Sequence, residues 1–444
     1  MLQVTVIGAG LAGAEAAWQI ARLGVPVRLC EMKPQRFSPA HRDPGFAELV
    51  CSNSLRSDAL SNGVGLLKAE MRRLGSLILS AADATAVPAG SALAVDRVLF
   101  CREVTRRLRE HPLVTVVSGE VHELPGEGVV VCATGPLTDG DMAAAIRRLT
   151  GDDGLHFYDA VAPIVDASTV DKNVAYFASR YGKGDPTDYL NCPLTRAEYH
   201  AFWQELCAAE TAEMHDFETA PDRPEKLKVF EGCMPVEVMA RRGEDTLRFG
   251  PMKPVGLPTP DGREPWAVVQ LRRENAEGTM YNLVGFQTHL RWGEQKRVFS
   301  MIPGLSDASF LRYGVMHRNT YLRSPGFLGP TYAVLDRPTL FFAGQMTGVE
   351  GYVESAASGL VAGQNAARLA LGLPPLVFPP ETMIGGMARY VSGGGAGPFS
   401  PMNANFGLLP PLTEKIKGPK SARNEALSAR ALTALSDFLA SADL

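Results

Sequence analysis

The run Gln3-Val4-Thr5-Val6-Ile7 leads straight into Gly8-Ala9-Gly10-Leu11-Ala12-Gly13, and this stretch decides the fold. A short β-branched strand breaks at a glycine turn, and a helix-forming segment, Ala14 to Leu23, follows at once. Gly24 ends that helix, and Val27 to Cys30 forms a second strand that closes on Glu31, roughly 18 residues past the third glycine. Each glycine has its purpose: Gly8 allows the tight turn, Gly10 lets the backbone approach a pyrophosphate, and Gly13 lets helix pack on strand. The helix N-terminus then faces the phosphates. Glu31 would accept hydrogen bonds from a ribose hydroxyl, and its charge would repel a 2′-phosphate, which favours FAD or NAD over NADP. Strand, turn, helix, strand and terminal acid stand in register, which lifts the motif above an isolated glycine-rich turn.

Two later segments favour FAD over NAD. Val129-Val130-Val131-Cys132-Ala133-Thr134-Gly135-Pro136 reads as a buried parallel strand that breaks at Thr-Gly. Leu340-Phe341-Phe342-Ala343-Gly344-Gln345 is again a strand into glycine, followed by Gly348, Gly351 and a small-residue helix from about Val353 to Leu371. Thr134, Gly135, Gly344 and Gln345 therefore join Gly8, Gly10, Gly13 and Glu31 as expected cofactor residues. The fold class is α/β: a Rossmann-like, glutathione-reductase-like FAD-binding domain with an inserted α+β domain. The expected division is 1–145 for the first part of the FAD-binding domain, 146–325 for an inserted substrate-facing domain, and 326–444 for the second part with a C-terminal helix. The first part includes a helix near Asp96 to Arg109 and a strand near Val114 to Val117. The insert carries a helical run near Ala197 to Glu213 and hairpin strands at Ala267 to Arg272 and Met280 to Gln287. Gly393 to Gly397 has no suitable strand before it and reads as a loop, not as a second nucleotide site, and the final helix is placed at Asn424 to Leu439.

With 444 residues, 45 % apolar and 21 % charged, the chain has the make-up of a globular protein of more than one folded unit. Lys plus Arg is 44 against 48 for Asp plus Glu, so no global excess of positive charge marks a nucleic-acid partner and any RNA must be met by local patches. Seven cysteines, at 30, 51, 101, 132, 192, 207 and 233, include no CxxC pair, which argues against a disulfide scaffold, a zinc site and a flavin disulfide oxidoreductase. The chain enters its first strand without a basic leader and contains no run of about 18 apolar residues. A cytoplasmic protein with neither membrane nor metal partner is expected.

Further strings carry a family resemblance. They are Val50-Cys51-Ser52-Asn53-Ser54-Leu55-Arg56-Ser57-Asp58, Phe230-Glu231-Gly232-Cys233-Met234-Pro235, Gly285-Phe286-Gln287-Thr288-His289-Leu290, Arg312-Tyr313-Gly314-Val315-Met316-His317-Arg318-Asn319, and Phe342-Ala343-Gly344-Gln345-Met346-Thr347-Gly348-Val349-Glu350-Gly351-Tyr352. With the N-terminal glycine motif, they resemble the folate- and FAD-dependent tRNA uracil-5-methyltransferases, the TrmFO family, over nearly the whole chain. The resemblance implies conversion of a T-loop uridine in tRNA to 5-methyluridine. Methylenetetrahydrofolate is the implied one-carbon donor, FAD the flavin, and NADH or NADPH its reductant. A related family of larger flavoproteins, which modifies the tRNA wobble uridine, shares the glycine start and a similar Phe-Ala-Gly-Gln segment. That activity stands as an alternative, as does a non-enzymatic FAD-dependent RNA-binding protein.

Carbon 5 of uracil is a poor nucleophile until a thiolate adds at carbon 6, so such a reaction needs a cysteine and a second acid/base group. Cys51, ahead of Ser52, Asn53, Ser54 and Arg56, and Cys233, shortly before Arg241 and Arg242, are the thiols with suitable neighbours. Cys30 and Cys132 lie in apolar strands, Cys101 and Cys207 in helical runs, and Cys192 is undecided. Under the resemblance, Cys233 is assigned as the thiol that adds to uracil and Cys51 as the acid/base partner near the flavin, with the reverse assignment open. His289 and His317 are candidates for covering the folate pterin or contacting RNA. For the tRNA backbone, Arg102, Arg106 and Arg109 share one helix face, and Lys415, Lys417, Lys420, Arg423, Arg291, Lys296 and Arg297 add local charge.

Overall fold

Val4–Ile7, with a parallel strand on each side, forms the centre of a six-stranded sheet. It pairs in parallel with Val27–Glu31 on one side, Val4 opposite Val27, and with Val129–Cys132 on the other, Val4 opposite Val129. Val114–Ser118 and Arg337–Phe342 extend the parallel array outward, and the short Ala333–Val334 closes one edge antiparallel. The chain leaves the central strand first to one side and later to the other. The loops at the carboxyl ends therefore diverge around Val4–Ile7 and leave a crevice there. The computed structural model describes all residues except 1–2, 152–154, 161, 183, 213–233, 276, 315, 395–398, 415, 417 and 443–444, and the backbone alone of 155–160, 316–319 and 394.

The glycine-motif helix runs over Leu11–Arg22, three residues earlier than its helix-forming composition suggests, because Gly10 already serves as N-cap. It packs on Tyr352–Ala370. The two backbones approach so closely that a Cβ on Gly359 would lie 2.1 Å from the Ala12 carbonyl oxygen. Small residues on both faces are what allow the second helix to lie beside the glycine turn.

A second sheet is antiparallel throughout, in the order Tyr176–Phe177, Tyr189–Leu194, Ala267–Arg273, Met280–Leu283, Ile164–Asp166, Phe310–Arg312. The strand beginning at Met280 stops at Leu283, short of Gln287, because the chain turns at Gly285 with a positive φ of 78°. The helix Arg196–Ala208, started by a capping box of Thr195 and Glu198, covers this sheet with Tyr199, Phe202 and Leu206. The described apolar residues fall into two main cores, one drawing on 4–146 and 322–435, the other on 165–308. A two-stranded ladder, Leu155–Ala160 against Met316–Tyr321, carries the chain between them. The last helix, Lys420–Ser441, begins four residues before Asn424 and buries Leu427, Ala431 and Leu435 in the first core. Among the described residues no helix is long and apolar enough to cross a membrane, and no cluster of three His, Cys, Asp or Glu could hold a metal.

A buried carboxylate ties the C-terminal segment to this frame. Glu70, on the helix Gly63–Arg73, accepts the Met383 N–H at 2.7 Å and the Ile384 N–H at 2.9 Å, satisfying the open end of the helix Met383–Arg389. Burial pushes its carboxyl up to about 7 from an ordinary 4.5. Between those pH values the folded chain keeps a proton that the unfolded chain has released, so this group's contribution to stability falls as pH rises through that window. Glu70→Gln is expected to flatten that fall, which denaturant midpoints of variant and parent measured from pH 4.5 to 7 would reveal.

Candidate active site

The carboxyl ends of Val4–Ile7, Val27–Glu31 and Val129–Cys132 open onto one large cavity of about 1460 Å³, its open mouth included. It lies at the carboxyl ends of three neighbouring parallel strands, the place where open α/β sheets bind dinucleotides. Gly8, Gly10, Glu31, Thr134, Gly135, Gly344 and Gln345 all line it. Gly13 stands behind the wall. A Cβ there would lie 1.8 Å from the Gly8 carbonyl oxygen, so Gly13 sets how closely the helix sits under the turn.

The residues present fit FAD. A Cβ on Gly10 or Gly135 would meet no atom within 4 Å, so both positions leave backbone bare to the cavity. No side chain caps the helix Leu11–Arg22, and its first-turn N–H groups remain for an anion such as a pyrophosphate. Glu31 is almost fully buried. One carboxylate oxygen accepts the Ala9 N–H at 2.7 Å and the other the Lys33 N–H at 3.0 Å. The acid thus holds the glycine turn in shape and keeps lone pairs for a ribose hydroxyl.

Cys51 lies half-buried on the wall of the same cavity. Its N–H donates to the Tyr352 hydroxyl at 2.6 Å, and the Ser52 N–H reaches the same oxygen at 3.2 Å. Burial and the neighbouring Cys51 push the Tyr352 hydroxyl well above the ordinary phenol range, so it stays protonated. Three guanidinium groups clamp the loop. Arg97 donates to the Leu49 carbonyl at 2.7 Å, Arg312 to the Val50 carbonyl at 2.8 Å, and Arg272 to Ser52 Oγ at 2.8 Å and Asn53 Oδ1 at 3.1 Å. Glu274, nearly fully buried, balances Arg97 in an ion pair of 2.7 Å. Arg272 and Arg312 belong to strands of the second sheet, so that sheet holds the cysteine loop over a cavity built by the first.

Sequence reasoning did not single out Tyr352, Arg97, Arg272 or Arg312. Tyr352 and Arg312 fall inside the family strings, but the bonds that give them a role here span 301 and 262 residues of chain, which no local spacing signals. The other cysteines divide as their surroundings dictate. Burial pushes the Cys101 and Cys192 thiols up to about 12 and the Cys132 thiol up to about 11, so Cys192 joins the inert apolar group. Cys233 lies outside the described residues. His289 is not on the cavity wall; its N–H donates to Glu237 at 2.8 Å in the second core. His317 stands opposite Asp159 on the two-stranded ladder.

The helix near Asp96 is Arg97–Glu110, with Asp96 as a true N-cap. Arg102 on it is exposed, Arg106 is held by Glu103 and Glu110, and the Arg109 guanidinium lies 5.2 Å over the Phe46 ring. Arg291 pairs with Glu210, and Arg297 with Glu205 and Glu294. Lys420 and Arg423 are exposed, while Lys415 and Lys417 lie outside the described residues. Much of the positive charge expected for a backbone contact is thus already partnered.

Fold and cavity together define a dinucleotide-binding protein of the glutathione-reductase-like class, with a cysteine on the cofactor-cavity wall. The family described as GIDA, glucose inhibited division protein A, matches residues 3–374. A methylenetetrahydrofolate–tRNA-(uracil-5-)-methyltransferase TrmFO of Heliobacterium modesticaldum is 60 % identical over 99 % of this chain and 98 % of its own. The enzyme of the same name from Symbiobacterium thermophilum is 61 % identical over 97 % of this chain and 96 % of its own. Among solved structures, GidA of Aquifex aeolicus aligns with a TM-score of 0.68 at 17 % identity, covering 98 % of this chain and 76 % of that one, which is a likeness of fold. The chain belongs to the TrmFO family.

Proposed function

We propose that the chain methylates carbon 5 of a T-loop uridine in tRNA, with methylenetetrahydrofolate as one-carbon donor and FAD, kept reduced by NADH or NADPH, as reductant. The observation that carries this is Cys51 on the wall of a cavity that fits FAD, in a chain 60 % identical over nearly its full length to a methyltransferase of that name. Gly10 and the uncapped helix N-terminus would take the pyrophosphate, Glu31 the ribose, and Thr134, Gly135, Gly344 and Gln345 the remaining wall. Bound FAD supplies, in its reduced form, the hydride that completes the methyl group.

The chain's own residues supply the rest. The Cys233 thiolate adds to carbon 6 of uracil, which makes carbon 5 an enolate carbon able to attack the one-carbon unit. Cys51 Sγ takes the proton from carbon 5, and tetrahydrofolate leaves as the bond between its nitrogen and the new carbon breaks. Once the methyl group is complete, the Cys233 thiolate departs and restores the ring double bond. Tyr352 and the three arginines keep the Cys51 backbone in place while the proton moves. His289 and His317 are assigned a contact with folate or RNA. The cytoplasm, where tRNA and reduced nicotinamides are at hand, is the proposed location.

The decisive assay measures 5-methyluridine in an unmodified tRNA transcript with and without methylenetetrahydrofolate. Product is expected only with the folate, and product formed from S-adenosylmethionine instead would overturn the assignment. Phosphate contacts are proposed for Arg102, Arg106 and Arg109. Because Arg106 is shared with Glu103 and Glu110, replacing all three by Ala should lower the salt slope of tRNA binding by about one to two and leave the flavin spectrum alone. An unchanged slope would move the phosphate contacts elsewhere on the surface.

A further inference from the structure

Beside the cysteine loop stands a ladder of three nearly parallel rings. Trp292 and Tyr313 have centroids 5.8 Å apart with planes at 15°, and Tyr313 and Phe310 5.5 Å apart at 13°. The second core, by contrast, sets its aromatics at steeper angles, Phe202 to Phe286 at 41° and Phe286 to Phe299 at 76°. The ladder does not end in the core: Trp292, the first residue of the helix Trp292–Phe299, is 62 % exposed. A large flat ring left to water at the end of an ordered stack offers an open π face to one more flat ring.

The ladder is also held rigid. Fully buried Gln295 donates to the Leu290 carbonyl at 2.7 Å and the Gly314 carbonyl at 2.8 Å, and its amide oxygen accepts the Gly314 N–H at 2.7 Å. That bridge locks the helix carrying Trp292 to the segment carrying Tyr313. Arg312, the neighbour of Tyr313, donates to the Val50 carbonyl, and Val50 and Cys51 both line the cavity. Arg312 thus ties the segment that carries the stack to the cavity wall, and the stack runs from Phe310, packed on the second core, out to solvent at Trp292.

We propose that the open face of Trp292 stacks an unpaired nucleobase of the tRNA loop next to the base presented at Cys51. This rests on the tRNA-methylation reading. An enzyme that works on a base must take it out of its stack, which leaves a neighbouring base without a partner, and aromatic side chains take such bases irrespective of sequence. Arg291 is paired with Glu210 and Arg297 with Glu205 and Glu294, while Lys296 on the same helix is exposed; Trp292→Ala leaves all three cations in place and removes only the ring, so what it tests is stacking and not phosphate neutralisation. Stacking should contribute affinity with little salt dependence, unlike Arg102, Arg106 and Arg109.

The test uses the full chain with bound FAD and an unmodified tRNA transcript, with filter-binding Kd measured over a range of salt. Trp292→Ala is expected to weaken binding on the order of 10-fold or more with an unchanged salt slope, and Trp292→Phe to keep most of the affinity. An unchanged Kd for Trp292→Ala overturns the proposal, and so does equal weakening by Ala and Phe. If the parent self-associates without RNA and Trp292→Ala does not, the face belongs to a second copy and the proposal falls. Should the Ala variant lose FAD or fold poorly, acrylamide quenching of the parent's tryptophan fluorescence decides. Shielding by tRNA supports the proposal, and undiminished quenching overturns it. Methylation by the parent separates the two readings: a parent that methylates tRNA while Trp292→Ala binds as well as it does sinks only the stacking inference, whereas a parent that neither binds nor methylates tRNA sinks both.

Discussion

Cys51→Ala is expected to retain FAD and to lose about 10²–10⁴-fold in methylation rate, the usual worth of a positioned acid/base group. The cofactor should survive because the contacts of Cys51 with Tyr352 and of its loop with Arg97, Arg272 and Arg312 run through backbone atoms or through Ser52 and Asn53, none of which the substitution removes. A tRNA carrying 5-fluorouridine sharpens the test, since fluorine at carbon 5 cannot leave as a proton does and the thiol adduct stalls. With Cys51 as the base and Cys233 as the nucleophile, the Ala variant should still trap the adduct. If Cys51 were the nucleophile, trapping would vanish with it. A normal methylation rate in Cys51→Ala would rule out either role.

Gly10→Leu should yield folded, nearly colourless protein. Gly10 has an ordinary φ of −69°, and a Cβ there meets no atom within 4 Å, so neither backbone strain nor a clash with the protein follows. The new side chain instead projects into the cavity where a pyrophosphate must lie against bare backbone. Absorbance near the flavin maximum, flavin released on heating and the thermal unfolding transition together check this. A variant that carries a full complement of FAD would mean that the glycine turn is not the phosphate site. Gly13 offers the contrast: there a Cβ would lie 1.8 Å from Gly8 backbone, so even Ala should cost folding before it costs the cofactor.

The lining of the cavity was legible in the sequence because its parts are local. A turn that needs glycine, a helix that must start there and an acid at the end of the next strand recur at spacings set by backbone geometry, and seven of the eight residues chosen in this way line the cavity, with Gly13 in its packing role behind them. The cysteine site was only half legible. The polar run after Cys51 marked it as unusual among seven thiols, and the strands and helices around Cys101, Cys132 and Cys192 account for their inertness. The basic helix shows the limit of counting charges, since Glu103 and Glu110 lie one turn from Arg106 and take up much of its charge.

By itself, the sequence determined the parallel sheet around Val4–Ile7, the glycine turn and the chemical character of the cofactor cleft, since strand pairing, turn conformation and helix-end electrostatics depend on residues close in the chain. Only the tertiary structure decided what holds Cys51 and what surrounds it. Tyr352 comes from 301 residues away, Arg272 and Arg312 from a second sheet, and the Trp292 ladder from a helix and a neighbouring segment that Gln295 ties together. Contacts of that range form where two packed cores meet, and they are fixed by the shapes of both surfaces together, which no pattern within either segment encodes.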